Sequence, residues 1–162
     1  MTTRSARPPK PARAPAPPPA LPSARDGWSA LEIEAPRDEV IIDLTPQLRP
    51  ALRSALRRDG LLSLAVESPL VSLLALDTEP GAVADMLAML ERLAPRNEYY
   101  QINLRTPMER TGAARVRAAL LPRTLVLPYR DRKPLLPDGI VVHAIRHEPA
   151  RTRKFILHIG LT

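Results

Sequence analysis

Apolar positions along the chain change their period several times, and each change marks an element. Leu31 and Ile33 alternate with Glu32 and Glu34, the period-two pattern of a half-buried strand. Val40 to Leu44 is a second, mostly apolar strand. Thr45 and Pro46 then supply an N-cap and a proline suited to a first helical turn, and Leu48, Leu52, Ala55 and Leu56 recur at helical spacing. Pro50 falls early in that helix and distorts its start, and Gly60 is placed as its C-terminal stop.

Leu61 to Val66 and Val71 to Leu76 read as two strands around Ser68-Pro69. The clearest helix follows. Thr78 and Pro80 open it, Val83, Met86, Leu87, Leu90 and Leu93 form one apolar stripe, and Pro95 closes it. A loop carrying Tyr99 and Tyr100 leads to a short helix over Ala113 to Leu121. Strands at Thr124 to Pro128, Ile140 to His147 and Lys154 to Leu161 end the chain, and the turn from Glu148 to Thr152 predicts a hairpin between the last two. Two to three helices among about seven strands, with no internal repeat, predict a single α+β domain of mostly antiparallel sheet over 27–162.

Residues 1–26 break the pattern. Eight prolines and almost no large apolar side chain stand between Met1 and Arg25, so a disordered, partly polyproline-II arm is expected there. Five prolines interrupt Ala14 to Pro22, which argues against a signal peptide, and no apolar run approaches the roughly 20 residues of a membrane span. No membrane association and a cytoplasmic location are the expectation. The whole chain of 162 residues carries a net charge of +7. Arg4, Arg7, Lys10, Arg13 and Arg25 lie in the arm without an acid, and the remaining 19 basic and 17 acidic residues leave the domain at only +2. A nucleic-acid partner would therefore rest on the arm alone, and the domain's small excess argues against it. Cysteine is absent, which excludes disulfides, thiolate metal sites and a cysteine nucleophile.

In order and spacing, the domain resembles the YjbQ-like secondary thiamine-phosphate synthase family over about 130 residues. The resemblance is carried by Gly60-Leu61-Leu62-Ser63-Leu64-Ala65-Val66, the helix ending Leu90-Glu91-Arg92-Leu93-Ala94-Pro95, Tyr99-Tyr100, Gly112, Ala114-Arg115, Arg117 to Leu121, Leu127-Pro128, Arg151-Thr152-Arg153 and Gly160. It implies the family fold, a homotrimer with its site near subunit contacts, and an anionic ligand. The departures fall where the family's chemistry would sit. The first family histidine aligns with Ser68, the Asn-Glu pair with Leu76 and Asp77, the histidine after the tyrosine with Gln101, and the Ala-His histidine with Arg115. The Trp-Gln turn has become Leu136-Pro137-Asp138-Gly139.

General acid–base work near neutral pH favours histidine, and none lies before His143. His143 and His147 share one face of a strand but stand about 13 Å apart, too far for one metal ion. If the terminal hairpin forms, His143 faces His158, a pair that could hold a metal across a subunit contact; ordinary half-buried strand histidines are the simpler reading. Asp77 and Glu79, with Asp85 beyond, either form a carboxylate cluster or satisfy a helix N-terminus. Arg115 and Arg117, with Arg105 and Arg110 upstream, and Tyr100 are the candidates to meet a phosphate-bearing anion where the resemblance places the family's ligand, and solvated helix and loop arginines are the simpler reading. No phosphate-cradling glycine loop, nucleophile elbow or nucleotide fingerprint occurs, and no cofactor is expected. The sequence thus points first to a diverged, catalytically silent family member that binds an anion or assembles. An active thiamine-phosphate synthase with a rebuilt site is the alternative, and a nucleic-acid-associated protein using its basic arm is the third reading.

Overall fold

Alternating burial builds the larger of two sheets. Strand β3 (Gly60–Val66) buries Leu62, Leu64 and Val66 while Leu61, Ser63 and Ala65 face the other way. In a computed structural model that describes residues 28–162, β3 is central to a five-stranded antiparallel sheet. Its order is β1 (Trp28–Glu34), β8 (Lys154–Leu161), β3, β5 (Thr124–Arg130) and β6 (Lys133–Pro134). The arm expected at 1–26 lies outside the described residues.

The second sheet is three-stranded and antiparallel, in the order β2 (Ile41–Asp43), β7 (Ile140–Arg146), β4 (Val71–Asp77). Side chains from both sheets meet in one core: Leu62, Leu64, Leu157 and Ile159 from the first, Ile42, Val71, Leu73 and Val142 from the second. Helix α1 (Thr45–Arg53) adds Leu48 and Leu52. Burying one such side chain completely is worth about 1.5–3 kcal/mol, so this core dominates the stability of the domain. Helices α2 (Pro80–Leu93), α3 (Gln101–Arg105) and α4 (Gly112–Leu120) sit outside it, α2 against β4 and α3 against α4.

Several expectations change. The terminal hairpin does not form: β7 pairs with β2 and β4, whereas β8 pairs with β1 and β3. At the end of β7 the buried Arg146 donates to the carbonyls of Pro36, Glu39, Pro149 and Thr152 at 2.6–2.9 Å and so holds the following chain in a turn. A 3-10 turn at Pro149–Arg151 then carries the chain into the other sheet. The His143–His158 pair goes with the hairpin. His143 lies opposite Asp43 and Leu74, and His158 opposite Ala30 and Ala65.

Helix α1 ends at Arg53, not near Gly60, and leaves Leu56 wholly exposed. Pro50 removes a donor in the middle of this short helix, and nothing beyond Ala55 is covered to extend it. Gly60 instead opens β3, where an added Cβ would stand 1.9 Å from the Thr162 carbonyl oxygen. Close backbone approach, not helix termination, selects glycine there. The N-cap of α1 is Leu44, and the Thr45 amide is satisfied by Asp43 Oδ1 at 2.7 Å. Four helices form instead of two or three, α3 being the addition.

Candidate functional site

The residues expected to carry chemistry fall in two places. At one corner, Arg117 of α4 is buried, donating from Nε to the Ala94 carbonyl at 2.9 Å and from Nη2 to Glu91 Oε2 at 2.5 Å. It therefore ties α4 to the C-terminal end of α2 and does not stand free for a ligand. Glu91 also accepts from the Arg96 amide, and that bond, with Arg117 beside it, holds its carboxyl below the ordinary value. Tyr100 is spent similarly, its hydroxyl donating to the Pro95 carbonyl at 2.8 Å. Gln101 begins α3, which joins α4 through Asn103 Oδ1 accepting from the Gly112 amide. Arg115 remains accessible. Its Nε donates to Thr111 Oγ1 at 3.1 Å, and Glu109 stands 3.9 Å from Nη2.

The histidines are each committed. His147 is buried beside this corner, its Nε2 3.0 Å from the fully buried Ser72 Oγ. Burial, with the positive charges of Arg117 and Arg96 next in effect, pushes its imidazole down to about 4. His143 is buried and its Nδ1 lies 3.0 Å from the Val141 carbonyl. His158 lies 2.7 Å from Glu67 Oε1. Among the described residues, no three histidine or carboxylate side chains cluster to hold a metal ion.

Ser68 and Asp77 are separated by β4. Ser68 lies before its start, accepting from the Leu70 amide, and Asp77 ends it. Six intervals of strand span about 20 Å, so one chain does not bring the two into one site. Asp77 accepts from the Glu79 amide, and Glu79 caps α2 by accepting from the Ala82 amide. The helix-start reading of these acids holds.

Asp77 instead meets the Leu136–Gly139 turn, because it pairs with Ile140 across β4 and β7. Gly139 takes a φ of +82°, a conformation that favours glycine, and its carbonyl accepts from Thr78. That turn borders a cleft of about 690 Å³ between α1 and the chain from Asp131 to Val142. Leu48, Leu52, Leu136 and Val142 line it with carbon, and Arg49, Arg53, Arg132 and Lys133 stand around it with Asp131 and Asp138. Sequence reasoning missed this cleft, although Arg49 and Arg53, four apart in a helix without an acid, were a legible signal. Arg146 and the Ser72–His147 contact carried no such signal, since both depend on strand partners distant in the chain.

Two antiparallel sheets around one core, with helices gathered at one corner and a cleft by the β6–β7 turn, define an α+β domain of a recognisable type. The family model described as UPF0047 protein YjbQ-like matches residues 29–160, and the chain belongs to that family. A UPF0047 protein of Archaeoglobus fulgidus is 26% identical over 117 residues, covering 72% of this chain and 88% of the relative. Among solved structures, a YbjQ-like protein of unknown function from Sulfolobus solfataricus superposes with a TM-score of 0.72 at 16% identity, over 83% of this chain and 94% of that one. A conserved hypothetical protein from Thermus thermophilus gives 0.70 at 22% identity, over 83% and 99%. At these identities the structural likeness establishes the fold.

Proposed function

We propose that this protein is a diverged YjbQ-like member that has given up proton-transfer chemistry and keeps the binding of a phosphate-bearing anion within a homotrimer. The observation that carries the reading is the disposition of the three histidines. His143, His147 and His158 sit on or just beyond β7 and β8, each engaged by the fold, and none stands at Ser68, Gln101 or Arg115. Arginine stays protonated at any working pH, so Arg115 can hold an anion but cannot act as a base near neutrality. Losing one general acid–base group typically costs 10²- to 10⁴-fold in rate, about 3 to 5 kcal/mol of barrier. The thiamine-phosphate synthase reaction implied by the sequence resemblance should therefore run at background.

Trimer formation is supported by two features. The split between Ser68 and Asp77 means that a site containing both would need a second chain. Leu93, Leu104 and Met108 also leave large apolar side chains exposed around α2 and α3. The test of the anion-binding part is thermal stabilisation by thiamine monophosphate. Arg115→Ala should abolish it, and undiminished stabilisation in that variant would overturn Arg115 as the anion contact.

A further inference from the structure

Charge on the domain is not spread evenly, and the fold gathers what the sequence leaves scattered. We infer that the second half of α1, the loop from it to β3 and the β5–β6 hairpin form one surface that binds the phosphate backbone of a duplex nucleic acid. This surface does not involve Arg115 and goes beyond the reading above.

The positions of the charges along the chain hide the patch. Residues 49–59 contribute Arg49, Arg53, Arg57 and Arg58 with one acid, Asp59. Residues 130–133, more than seventy positions on, contribute Arg130, Arg132 and Lys133 with Asp131. All seven cations are exposed. These fifteen residues carry +5, while the rest of the chain beyond Arg25, with 12 basic and 15 acidic residues, stands at −3. The domain's excess of only +2 is therefore the average of two unlike regions, and one end of the fold holds all of it.

Contacts between the two segments bring them together. The Arg132 amide donates to the Arg58 carbonyl at 2.8 Å, the Asp131 amide to Asp59 Oδ1 at 2.8 Å, and Arg132 Nη2 to the Ala55 carbonyl at 3.2 Å. Asp131 and Arg132, the turn between β5 and β6, hold φ of 50° and 61°, left-handed values that persist in non-glycine residues only where the surroundings fix them. The hairpin tip is thus pinned onto the loop despite the strain and despite the repulsion between like charges. The two acids do not neutralise the patch. Asp131 pairs with Arg58, and Asp59 receives the turn amide. Arg49, Arg53, Arg57, Arg130 and Lys133 have no carboxylate partner among the described residues. The basic arm also joins the domain at this end, since Trp28, where the described chain begins, borders a groove with Leu56 and Arg57.

Chemistry selects the partner. Six of the seven cations are arginine, whose planar fork matches phosphate oxygens. Exposed guanidiniums are weak one at a time, so the patch gains most from a partner that repeats its charge, and a duplex presents one phosphate per about 1.7 Å of axis. Stacking on single-stranded bases needs open aromatic faces. Here Tyr129 is buried and Trp28 lies on Gly160, where an added Cβ would stand 3.0 Å from its ring carbons. Cations on one short helix and two loops contact backbone and do not read base edges, so binding should be indifferent to sequence. A lipid surface would need an apolar face to insert, and Leu56 is the single large apolar side chain exposed among the fifteen residues.

Fluorescence anisotropy of the full chain with labelled duplex DNA, duplex RNA and a single strand of equal length tests this, beside phosphatidylserine vesicles. A duplex should bind more tightly than the single strand, and unrelated duplex sequences should bind alike. Affinity should fall at least about 100-fold between about 50 and 200 mM salt, the loss expected for about four phosphate contacts. Preference for DNA or RNA would name the source of the backbone and support the surface equally. Arg53→Gln/Arg57→Gln/Arg130→Gln, all at exposed positions, should weaken duplex binding at least tenfold and lower the salt slope by about two to three. Lysine at the same three positions should keep most of the affinity. Wild-type affinity in the glutamine variant, or equal loss in the lysine variant, would overturn the inference. So would binding that survives in the glutamine variant and is lost when Arg4, Arg7, Lys10 and Arg13 are changed to glutamine, which would move it to the arm. Vesicle binding without duplex binding, abolished by Leu56→Ser, would make the surface a membrane contact instead.

Discussion

The two-sheet core and the helical corner use apolar side chains in opposite ways. Between the sheets, Leu62, Leu64, Leu73 and Leu157 are at most 1% exposed, and every layer finds its partner within one chain. Helix α2 carries a stripe of similar composition yet buries only Leu90, leaving Leu93 at 59% and Met89 at 40%. Helix α3 buries nothing, and Met108 just beyond it is 90% exposed. The lesson is that an amphipathic stripe reports a helix more reliably than it reports what the helix packs on. The core is finished by the chain itself, whereas the helical corner is finished in the proposed assembly.

The largest effect should come from the group that joins the sheets. Arg146→Ala would leave the carbonyls of Pro36, Glu39, Pro149 and Thr152 without their donor, Thr152 being a buried residue, and would open a cavity where the guanidinium stood. The cost is about 1–3 kcal/mol for a buried group left unsatisfied plus that of the cavity. A loss of about 4 kcal/mol or more in denaturant unfolding is expected, with failure to fold a result in the same direction. Burial lowers the affinity of this guanidinium for its proton, yet it remains charged, so lysine at the position should rescue little. A loss below about 1 kcal/mol would show that the sheets are joined by apolar packing alone.

Substituting single leucines sharpens the comparison directly. Leu64→Ala should cost about 2–5 kcal/mol, while Leu93→Ala, at an exposed position, should stay within about 0.5 kcal/mol for the dissociated chain. Equal losses would mean that α2 packs as tightly as the sheets.

Much of this division was legible beforehand and part of it was not. The apolar runs at Leu61 to Val66 and Val71 to Leu76 marked strands because strand character is local, whereas the inward set Leu62, Leu64 and Val66 emerges only in the fold. Pairing is not local. The turn after Glu148 resembled a hairpin loop, but β7 is taken on both sides by β2 and β4 and β8 by β1 and β3, and Arg146 reaches carbonyls more than a hundred residues away in sequence. Arg115 and Arg117 looked equivalent as phosphate ligands two positions apart on one helix. Their opposite fates follow from which face α4 turns toward α2, a tertiary fact. Leu56 continued a helical spacing that Pro50 and the lack of cover cut short.

Protonation of His147 links the two regions and gives a third test. The unfolded chain titrates this imidazole near 6.5 and the folded chain near 4, so below 6.5 the unfolded state binds a proton that the folded state refuses. Its contribution is therefore complete above pH 6.5 and is lost as pH falls toward 4, reaching about 3 kcal/mol at the lower limit. Stability measured from pH 7.5 to 4.5 should fall less steeply in His147→Gln than in the wild type. Parallel curves would contradict the burial of a neutral imidazole there.

Smallest in energy per chain, but decisive for the helical corner, is its assembly. Light scattering at micromolar concentration should report three chains of 17.9 kDa each, and Leu93→Asp should shift the population toward single chains without lowering their secondary structure. A single-chain mass for the wild type would remove the proposed trimer and leave the apolar residues of α2 and α3 without a partner.

The most direct test of the functional reading is turnover by the purified protein in a thiamine-phosphate synthase assay, beside a relative that has histidines at the positions aligned with Ser68, Gln101 and Arg115. The account predicts product formation no faster than the uncatalysed background, since no histidine stands at those positions and the three present are engaged elsewhere. Turnover comparable to the histidine-bearing relative would contradict it.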